Sequence, residues 1–484
     1  LSQAIRYGDT TKRAHAALGN LLFAQGRTAI AATHLEMALR FDPGNAELRQ
    51  RVAHTFWERG DLPTVAMIYE QGLCLTPDCF DFHLRAANCY REMGDIRAAE
   101  KHIARALELQ PGHRTASLSY AQLLVLLGDS SAALACVQAV LDKHPDDALV
   151  HWTMARILLG EGRFSEAWPH HENGLPQRLQ NNRFGESSKP WCGESLVGKR
   201  VLIYGEQGLG DEIMFASCLP DVLRHASTCV IECAPKLEKL FVQSFPGATI
   251  HAQREGEGRY GIEPLVPMDY EIPCGTLPSV LRRKPEDFPS APFLRVPDTS
   301  RDHWRHRLAA LGAGISVGIS WRGGTKTTGS YARSIALDQW LPILRVPGVS
   351  FVNLQYTDCL LEVSAIVKSS GVSITTWQDG LDDYFGTAAL VSGLDLVISV
   401  CTSVVTLASG LGTPVWVMAP PSAGWMFLRG QERTPWLPTA KVFWQDTALD
   451  WAPVIQRVAE ELAQRVQHSA ITSSQSEKSP GRDA

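Results

Sequence analysis

A 34-residue period runs through the first third of this 484-residue chain. Glycines, prolines and small residues each recur in their own register at that spacing. The three registers hold Gly26, Gly60, Gly94, Gly128 and Gly162; Pro43, Pro77, Pro111 and Pro145; and Gly19, Ala53, Ala87, Ala121 and Ala155. A unit of this length is one supersecondary element that cannot bury its apolar face alone. The period therefore predicts helix pairs that stack on their neighbours.

In each unit we expect the glycine to end the first helix and the proline to follow the second. The small residues then let the two helices pack closely, helped by Ala31, Ala99, Ala133 and Ala167 on the second helices. These registers resemble the tetratricopeptide repeat over roughly residues 12–180. The resemblance implies an α-solenoid whose concave groove binds a peptide or protein, and a spacer or dimerisation arm is the alternative.

Composition excludes some partners. Lys and Arg number 46 against 51 Asp and Glu, a net charge of −5, and no basic block suggests nucleic acid. Eleven scattered cysteines lack zinc spacing, so we expect free thiols, no metal and a reducing, cytoplasmic location. The most apolar region, residues 388–420, is broken by glycines, a proline and Asp395, so we expect no membrane span.

From about Lys199 short β-rich runs alternate with helical patterns, which predicts parallel sheets. Three strands are expected in a first half and five in a second, separated by a Pro- and Arg-rich linker that starts at Arg282. The predicted strands are 201–205, 229–233, 248–252, 315–321, 349–356, 372–376, 395–400 and 414–419, with helices at 337–345, 358–368, 382–392 and 402–411. Two such halves place a ligand cleft at the carboxyl ends of both sheets.

The predicted fold class is thus α plus α/β, a helical solenoid followed by two Rossmann-like α/β domains. The predicted domains are residues 1–180 for the solenoid, 195–298 for the first half and 299–467 for the second. The polar, small-residue tail 468–484 is expected to be disordered.

The stretch "GEQGLGDEIMF" follows the first predicted strand of the first half. Its glycines, Gly208 and Gly210 among them, permit close backbone approach in a strand–turn–helix context. Asp211 starts the helix. It is either a first-turn acid that stabilises the helix by about 1 kcal/mol, or a cleft-facing general base. The glycine spacing does not match the dinucleotide-binding fingerprint.

Two segments of the second half suit an anionic ligand. Residues 318–335 run from a strand into a glycine-rich loop with Arg322, Lys326 and Arg333, which favours a diphosphate, although a solvated loop is the alternative. Thr402 and Ser403 begin a helix, where hydroxyls and free N–H groups form an anion site or a plain N-cap.

Aromatic and amide residues add candidates for contact with a nucleoside. Gln355 and Tyr356 end a strand that faces the cleft, and we expect them to be weaker candidates. Trp425, Trp436 and Trp444 either stack on a base or sugar or pack the C-terminal loop onto the sheet.

Four segments together, "GEQGLGDEIMFASCLPDV", "SWRGG…RSI", "FVNLQY" and "DLVISVCTSVVTLASGLGTPVWV", resemble the bacterial heptosyltransferase-like glycosyltransferases. The match covers most of residues 195–465. It implies the GT-B fold, a nucleotide-diphosphate sugar held by the second half, and an acceptor-side role for Asp211. It also implies that Thr402 and Ser403 bind phosphate and that Arg322 lies on the donor side. With the repeats, the chain more distantly resembles the O-linked N-acetylglucosamine transferases.

The chain departs from that pattern at two positions. Cys401 stands where the family usually has Asp, and Thr406 where it has His, so a carboxylate able to bind sugar hydroxyls is missing. This leaves the sugar, and activity itself, open. Cys401 is expected to be a small buried turn residue because no His or Asp partner for a nucleophile is evident nearby.

The sequence therefore predicts a glycosyltransferase that needs no metal or cofactor and acts on a protein or glycan acceptor recruited by the repeats. Asp211 would remove the acceptor proton, and basic groups with a helix end would hold the leaving diphosphate. Two alternatives stay open. One is a repeat scaffold with an inactive sugar-nucleotide fold, and the other is a nucleotide-sensing module without transfer.

Overall fold

The computed structural model describes residues 12–174, 189–253, 267–312, 314–324, 332–446 and 450–476. The chain forms two compact units, residues 1–145 and residues 146–484. The first is helical, and the second contains a helix pair followed by a parallel-stranded α/β region. No helix in the described ranges has an apolar stretch long enough to cross a bilayer.

The first unit consists of helices that pack as sequential pairs. They are α1 (Lys12–Ala24), α2 (Thr28–Phe41), α3 (Ala46–Trp57), α4 (Leu62–Leu75), α5 (Phe80–Glu92), α6 (Ile96–Leu109), α7 (Arg114–Leu126) and α8 (Ser130–Leu141). The glycine register ends the first helix of each pair, and Gly26, Gly60, Gly94 and Gly128 have φ between 73° and 83°. Only glycine adopts that left-handed conformation without steric cost. The predicted role of this register is confirmed.

The small-residue register is buried at the contact between paired helices. Ala53 and Ala121 have no exposed surface, and Ala87 is 4% exposed. A side-chain carbon on Gly19 would fall 2.6 Å from Leu35 Cγ, so the first pair has no room for one. The registers thus hold the helices close, as the sequence predicted.

The second unit begins with α9 (Ala148–Gly160) and α10 (Phe164–Asn173). This pair keeps the repeat registers, since Gly162 has φ 73° and Ala155 and Ala167 are fully buried. It nevertheless belongs to the same compact unit as the sheets. Trp168 of α10 bonds to the Arg282 carbonyl and packs against Trp436, and both partners lie in loops of the α/β region.

The first sheet is parallel, with strand order β1-β5-β2-β3-β4. Its elements are β1 (Lys189–Pro190), β2 (Arg200–Tyr204), α11 (Leu209–Ala216), α12 (Leu219–Leu223), β3 (Thr228–Cys233), α13 (Glu238–Ser244), β4 (Thr249–Ala252), β5 (Tyr270–Pro273) and α14 (Leu277–Leu281). From β2 the chain runs outward to β3 and β4, and it then returns to place β5 on the other side of β2. The loops after β2 and β5 therefore leave the sheet on either side of a crevice.

The second sheet is also parallel, with order β11-β10-β9-β6-β7-β8. Its elements are α15 (Asp298–Ala309), β6 (Ile315–Ser320), α16 (Leu341–Leu344), β7 (Val349–Asn353), α17 (Leu360–Ser370), β8 (Ile374–Thr375), α18 (Tyr384–Gly393), β9 (Leu396–Val400), α19 (Ser403–Leu411), β10 (Val415–Ala419), β11 (Ala440–Trp444) and α20 (Ala452–Ser476). The central strands β6, β9 and β10 are buried throughout, as expected of a parallel sheet covered on both faces.

Several elements were absent from the sequence prediction. β1, β5 and β11 were missed because the first two are short and end in proline, and the third lies in an aromatic segment without alternation. Arg282, the first residue of the predicted linker, is 2% exposed, and α15 occupies the end of that segment. Helix α20 continues to Ser476, into the segment predicted to be disordered, and residues 477–484 lie outside the described ranges.

Candidate functional site

The carboxyl edge of the second sheet has a crevice between β6 and β9. These strands are neighbours, yet the chain continues from them toward opposite ends of the sheet. Ligands of open parallel sheets bind at such a point. The loop after β6 carries Arg322 and Gly323, and the loop after β9 carries Cys401 and Thr402, so both predicted anion-binding segments meet there.

Gly323 brings the two loops into direct contact. A side-chain carbon at this position would lie 2.8 Å from Thr402 Cγ2 and 2.9 Å from the Cys401 carbonyl oxygen. Any larger residue would push the β6 loop away from the start of α19. The glycine therefore supplies the close approach that the sequence predicted for this loop.

Thr402 is the N-cap of α19, and its Oγ1 accepts a hydrogen bond from Val404 N at 3.3 Å. The same hydroxyl lies 3.1 Å from Ser399 Oγ. No acid stands in the first turn of the helix, so no carboxylate there offsets its positive end. Thr402 thus caps the helix, and the helix end keeps the electrostatic character of an anion site.

Cys401 is a buried turn residue. It is 5% exposed, and burial raises the pKa of its thiol to about 12, although the charge of Arg333 acts in the opposite direction. The thiol is neutral near pH 7 and is therefore a poor nucleophile. Thr406 uses its hydroxyl within the helix, where Oγ1 donates to the Ser403 carbonyl at 2.9 Å.

Gln355 joins the loops after β6 and β7. It is 2% exposed, and its side-chain oxygen accepts hydrogen bonds from Trp321 N at 3.2 Å and Arg322 N at 2.9 Å. Its amide nitrogen donates to the Arg322 carbonyl at 3.2 Å and to Thr357 Oγ1 at 3.1 Å. In the structure this side chain holds the loop in place instead of facing a ligand.

The predicted basic residues separate into two groups. Arg322 turns toward α17, where its Nη2 donates to the Asp358 carbonyl at 2.9 Å and its Nη1 lies 3.3 Å from Glu362 Oε2. Arg333 is instead near the crevice, since a side-chain carbon on Gly323 would lie 3.4 Å from the Arg333 carbonyl oxygen. Lys326 lies outside the described residues.

Asp211 occupies the third position of α11. Its Oδ2 accepts a hydrogen bond from Gly208 N at 3.2 Å, and its own N–H donates to the Gly208 carbonyl at 2.9 Å. Burial raises the pKa of Asp211, while the Gly208 N–H and the charge of Arg333 act to lower it. The first-turn cap is therefore present, and the same carboxylate also lies within the field of a cation from the other half.

The backbone before α11 is strained. Gln207 has φ 67°, one of two non-glycine residues with positive φ in the described chain. A side chain in that region costs on the order of 1–2 kcal/mol. Strain of this kind persists where the surroundings fix the turn, and it is concentrated at functional sites.

Two buried glutamates that sequence reasoning missed support this turn. Glu206 accepts a hydrogen bond from Gly275 N at 2.8 Å, and Glu212 accepts one from Ala234 N at 2.9 Å. A side-chain carbon on Gly205 would lie only 2.7 Å from the Glu212 carboxylate, so this position has no room for one. These bonds tie the loop after β2 to the loops after β3 and β5. The signal in the sequence was the pair of glutamates at the second and last positions of "GEQGLGDE".

The two halves meet at the starts of α11 and α19. A side-chain carbon on Gly210 would lie 3.4 Å from Ser403 Cα. Lys239 and Asp383 form a second link between the halves, at 2.7 Å. The structure thus brings Gly208, Gly210, Asp211, Arg333, Thr402 and Ser403 together. Gln355 and the Arg322 side chain are directed elsewhere.

The aromatic residues have different surroundings. Trp436 is 3% exposed and packs edge-on against Phe288 at 4.6 Å, and Trp444 Nε1 donates to the Gln431 carbonyl at 2.8 Å. For these two the packing alternative describes the structure. Tyr356 is 59% exposed in the loop after β7. Tyr384 begins α18, and its hydroxyl donates to the Ser403 carbonyl at 3.3 Å.

The tetratricopeptide repeat family matches this chain in two places, residues 1–46 and residues 91–157. Protein FlbA of Caulobacter vibrioides is 35% identical over 336 residues, which are 66% of this chain and 56% of FlbA. The match thus spans little more than half the length of that relative.

Solved structures with similarity to the chain include the MamA protein and TTC0263, a tetratricopeptide repeat protein of Thermus thermophilus. MamA is 16% identical and TTC0263 is 22% identical, with TM-scores of 0.31 and 0.30. They cover 35% and 34% of this chain, and 92% and 91% of their own. The sequence matches and the helix pairs together show that the N-terminal region consists of tetratricopeptide repeats.

Proposed function

We propose that the chain is a GT-B-type glycosyltransferase that moves a sugar from a nucleotide-diphosphate sugar to a protein or glycan acceptor. The repeats recruit that acceptor, as protein-binding repeats do. The observation that carries the proposal is the contact between the starts of α11 and α19, which brings Asp211, Arg333 and Ser403 of two parallel-sheet halves to one place.

The chemistry of these groups suits sugar transfer. Asp211 takes the proton from the acceptor hydroxyl, whose oxygen then forms a bond to the anomeric carbon while the bond to the diphosphate oxygen breaks. Burial raises the pKa of Asp211, which makes the carboxylate a stronger base than an exposed aspartate. The start of α19 and the guanidinium of Arg333 stabilise the charge on the departing nucleoside diphosphate.

The donor side of the site rests on Arg333, Thr402 and Ser403. Arg322 already pairs with Glu362, so it stabilises the loop from outside the crevice. Tyr356 offers an exposed ring on which a base or sugar can stack.

A scaffold with an inactive sugar-nucleotide fold is the second candidate. Cys401 and Thr406 replace the acid and the histidine of the heptosyltransferase pattern. The Cys401 thiol is buried and neutral, and the Thr406 hydroxyl is bonded within its own helix. Neither side chain offers a carboxylate to a sugar hydroxyl. A site that binds nucleotide sugars without turnover would fit the sensing alternative.

The test is nucleoside-diphosphate release from a panel of nucleotide sugars, with and without cell-extract acceptors, by the wild-type chain and Asp211→Asn. Loss of a general base reduces kcat by roughly 10²–10⁴-fold. Asp382→Asn is the matched control, because Asp382 is an exposed aspartate whose side chain accepts from Gln378 Nε2.

Acceptor-dependent release that Asp211→Asn abolishes and Asp382→Asn leaves intact supports the proposal and identifies the donor. Equal release by wild type and Asp211→Asn contradicts the role of Asp211. Binding of a nucleotide sugar without release favours the sensor. If the chain neither binds nor releases any nucleotide of the panel, that result favours the scaffold.

A further inference from the structure

We propose that Trp168 and Arg282 are positioning residues for Asp211, so that the helix pair α9–α10 is a working part of the candidate site. The inference rests on the proposed function for the role of Asp211. It concerns side chains outside the crevice that hold α11 in place, and all of them lie in the second compact unit.

Trp168 makes the first contact of the series. It lies on α10, is 3% exposed, and its Nε1–H donates to the Arg282 carbonyl at 2.7 Å. The repeat register has Leu134 and Glu100 at the corresponding positions of the two preceding pairs, so the donor is specific to the last pair. A buried indole N–H needs such a partner, and this one is a backbone atom of the segment that joins the two halves.

Arg282 makes the second contact. Its side chain is 3% exposed, and Nη2 donates to the Ser217 carbonyl at 2.8 Å and pairs with Asp221 at 2.6 Å. Ser217 directly follows α11, so the guanidinium lies at the negative end of the helix that carries Asp211. A cation in a partly buried position at a helix carboxyl end stabilises that helix.

The same helix pair supports α11 from a second direction. Phe215 of α11 packs against Trp436, with ring centres 6.5 Å apart, and Trp436 packs against Trp168 at 6.3 Å. Arg429, in the segment before Trp436, donates its backbone N–H to the Gly160 carbonyl at 2.9 Å. Both supports of α11 therefore end on α9–α10.

A small displacement of α11 matters because Asp211 must reach the acceptor hydroxyl while the other half holds the sugar donor that this hydroxyl attacks. A misplacement of 1 Å costs roughly 10²-fold in rate. Donor binding depends chiefly on the start of α19, which these contacts do not touch. Loss of the Trp168 or Arg282 contacts is therefore expected to lower kcat and leave KM for the nucleotide sugar nearly unchanged.

The experiment compares full-chain Trp168→Phe, Arg282→Gln and Arg282→Lys with wild type. Phenylalanine keeps an aromatic ring and removes the N–H donor, and lysine keeps the charge. The control is Val150→Ala, which leaves a cavity at a buried position of α9 without removing any of these contacts. The measurements are kcat and KM with the donor found above, and amide hydrogen exchange of residues 209–217.

We expect Trp168→Phe and Arg282→Gln to lower kcat by at least about tenfold, with KM within about twofold of wild type. Both variants are also expected to speed amide exchange in residues 209–217. Arg282→Lys is expected to restore part of kcat and part of the exchange protection. Unchanged exchange in Trp168→Phe, or equal losses in Val150→Ala at equal Tm, overturns the inference. If wild type transfers no sugar, the proposed function fails, while the exchange comparison alone still decides whether these residues hold α11.

Discussion

Gly210 of the first half lies against Ser403 of the second, so closely that a side-chain carbon on Gly210 would fall 3.4 Å from Ser403 Cα and 3.5 Å from Thr406 Oγ1. Both residues stand in the first turn of a helix. Two positive helix ends therefore meet across the halves, with Asp211 and Arg333 close enough to influence each other.

Gly210→Val is expected to destabilise the chain by about 1–3 kcal/mol, because branched carbons at this position collide with α19. Gly210→Ala keeps an ordinary contact distance and removes a flexible residue from a helix, so it is expected to stay within about 1 kcal/mol of wild type. Urea unfolding measures both. Ala365→Val, on an exposed position of α17, controls for the helix propensity of valine. Equal stability of the valine and alanine variants would contradict the close contact.

Thr402→Val removes the N-cap of α19 and is expected to lower the free energy of unfolding by about 1 kcal/mol. The side chain loses its bond to Val404 N and its contact with Ser399 Oγ, but keeps its shape. Thr402→Ser retains the hydroxyl and is expected to restore most of the loss. A serine variant as unstable as the valine variant would mean that packing, and not capping, is the role of Thr402.

Three histidine pairs recur at twice the repeat spacing. Their Nδ1 atoms lie 2.8–3.0 Å apart, in the pairs His15–His34, His83–His102 and His151–His170. Each contact needs one neutral ring nitrogen as acceptor. Burial, and the partner ring, lower the pKa values of His34 and His170, and burial lowers that of His102 in spite of Glu70.

A folded pKa below the unfolded value means that the unfolded chain takes up protons first as the pH falls. Stability is therefore fully present above about pH 6.5 and is lost as the pH falls below it. We expect His34→Gln to lose less Tm than wild type between pH 7.5 and pH 5.5, because the variant lacks the histidine whose pKa the pair lowers. His54→Gln, at a side chain that is 55% exposed, is the control. A pH dependence that is identical in the two variants would exclude a role for the His15–His34 pair.

Glu212→Gln is expected to stabilise the chain at alkaline pH. Burial raises the pKa of Glu212 from 4.5 to about 7, because the neutral carboxyl is easier to bury than the charged one. The folded chain is therefore most favoured below about pH 4.5, and this stabilisation is lost as the pH rises through 7. At about 1.4 kcal/mol per pKa unit, the gain at pH 8 is about 3 kcal/mol, and it is smaller at pH 5.5. Urea unfolding at both pH values measures it.

Glu460→Gln is the matched control for Glu212, because Glu460 is exposed on α20. Glutamine keeps an oxygen for the Ala234 N–H, so the variant loses the charge and not the hydrogen bond. A stability gap between wild type and Glu212→Gln that does not change with pH would mean that this carboxylate titrates as an exposed one.

Local periodicity made much of the fold predictable. The left-handed glycines and the buried alanines follow from spacing alone, because a helix must end and pack at the same place in every repeat. The central strands were predictable because parallel strands buried on both faces are continuous apolar runs. Strands such as β5, four residues ending in proline, carry too little pattern to be recognised.

The candidate site was predictable only in part. The starts of α11 and α19 were identified because glycine and hydroxyl residues after a strand have a local meaning. The orientation of Arg322 toward Glu362, the burial of Gln355 and the bonds of Glu206 and Glu212 depend on which loops the sheet order makes neighbours. No single segment of the sequence predicts the order of the strands in the sheet.

The sequence by itself determined the repeat array, the two parallel-sheet halves and the helix starts that carry Asp211 and Thr402, because each is a property of a short stretch of chain. Only the tertiary structure decided that Gly210 meets Ser403, that the charge of Arg333 acts on Asp211 while Arg322 pairs with Glu362, and that Trp168 reaches Arg282. These relationships join residues far apart in the sequence, and they arise when large side chains and buried charges find partners as the chain packs.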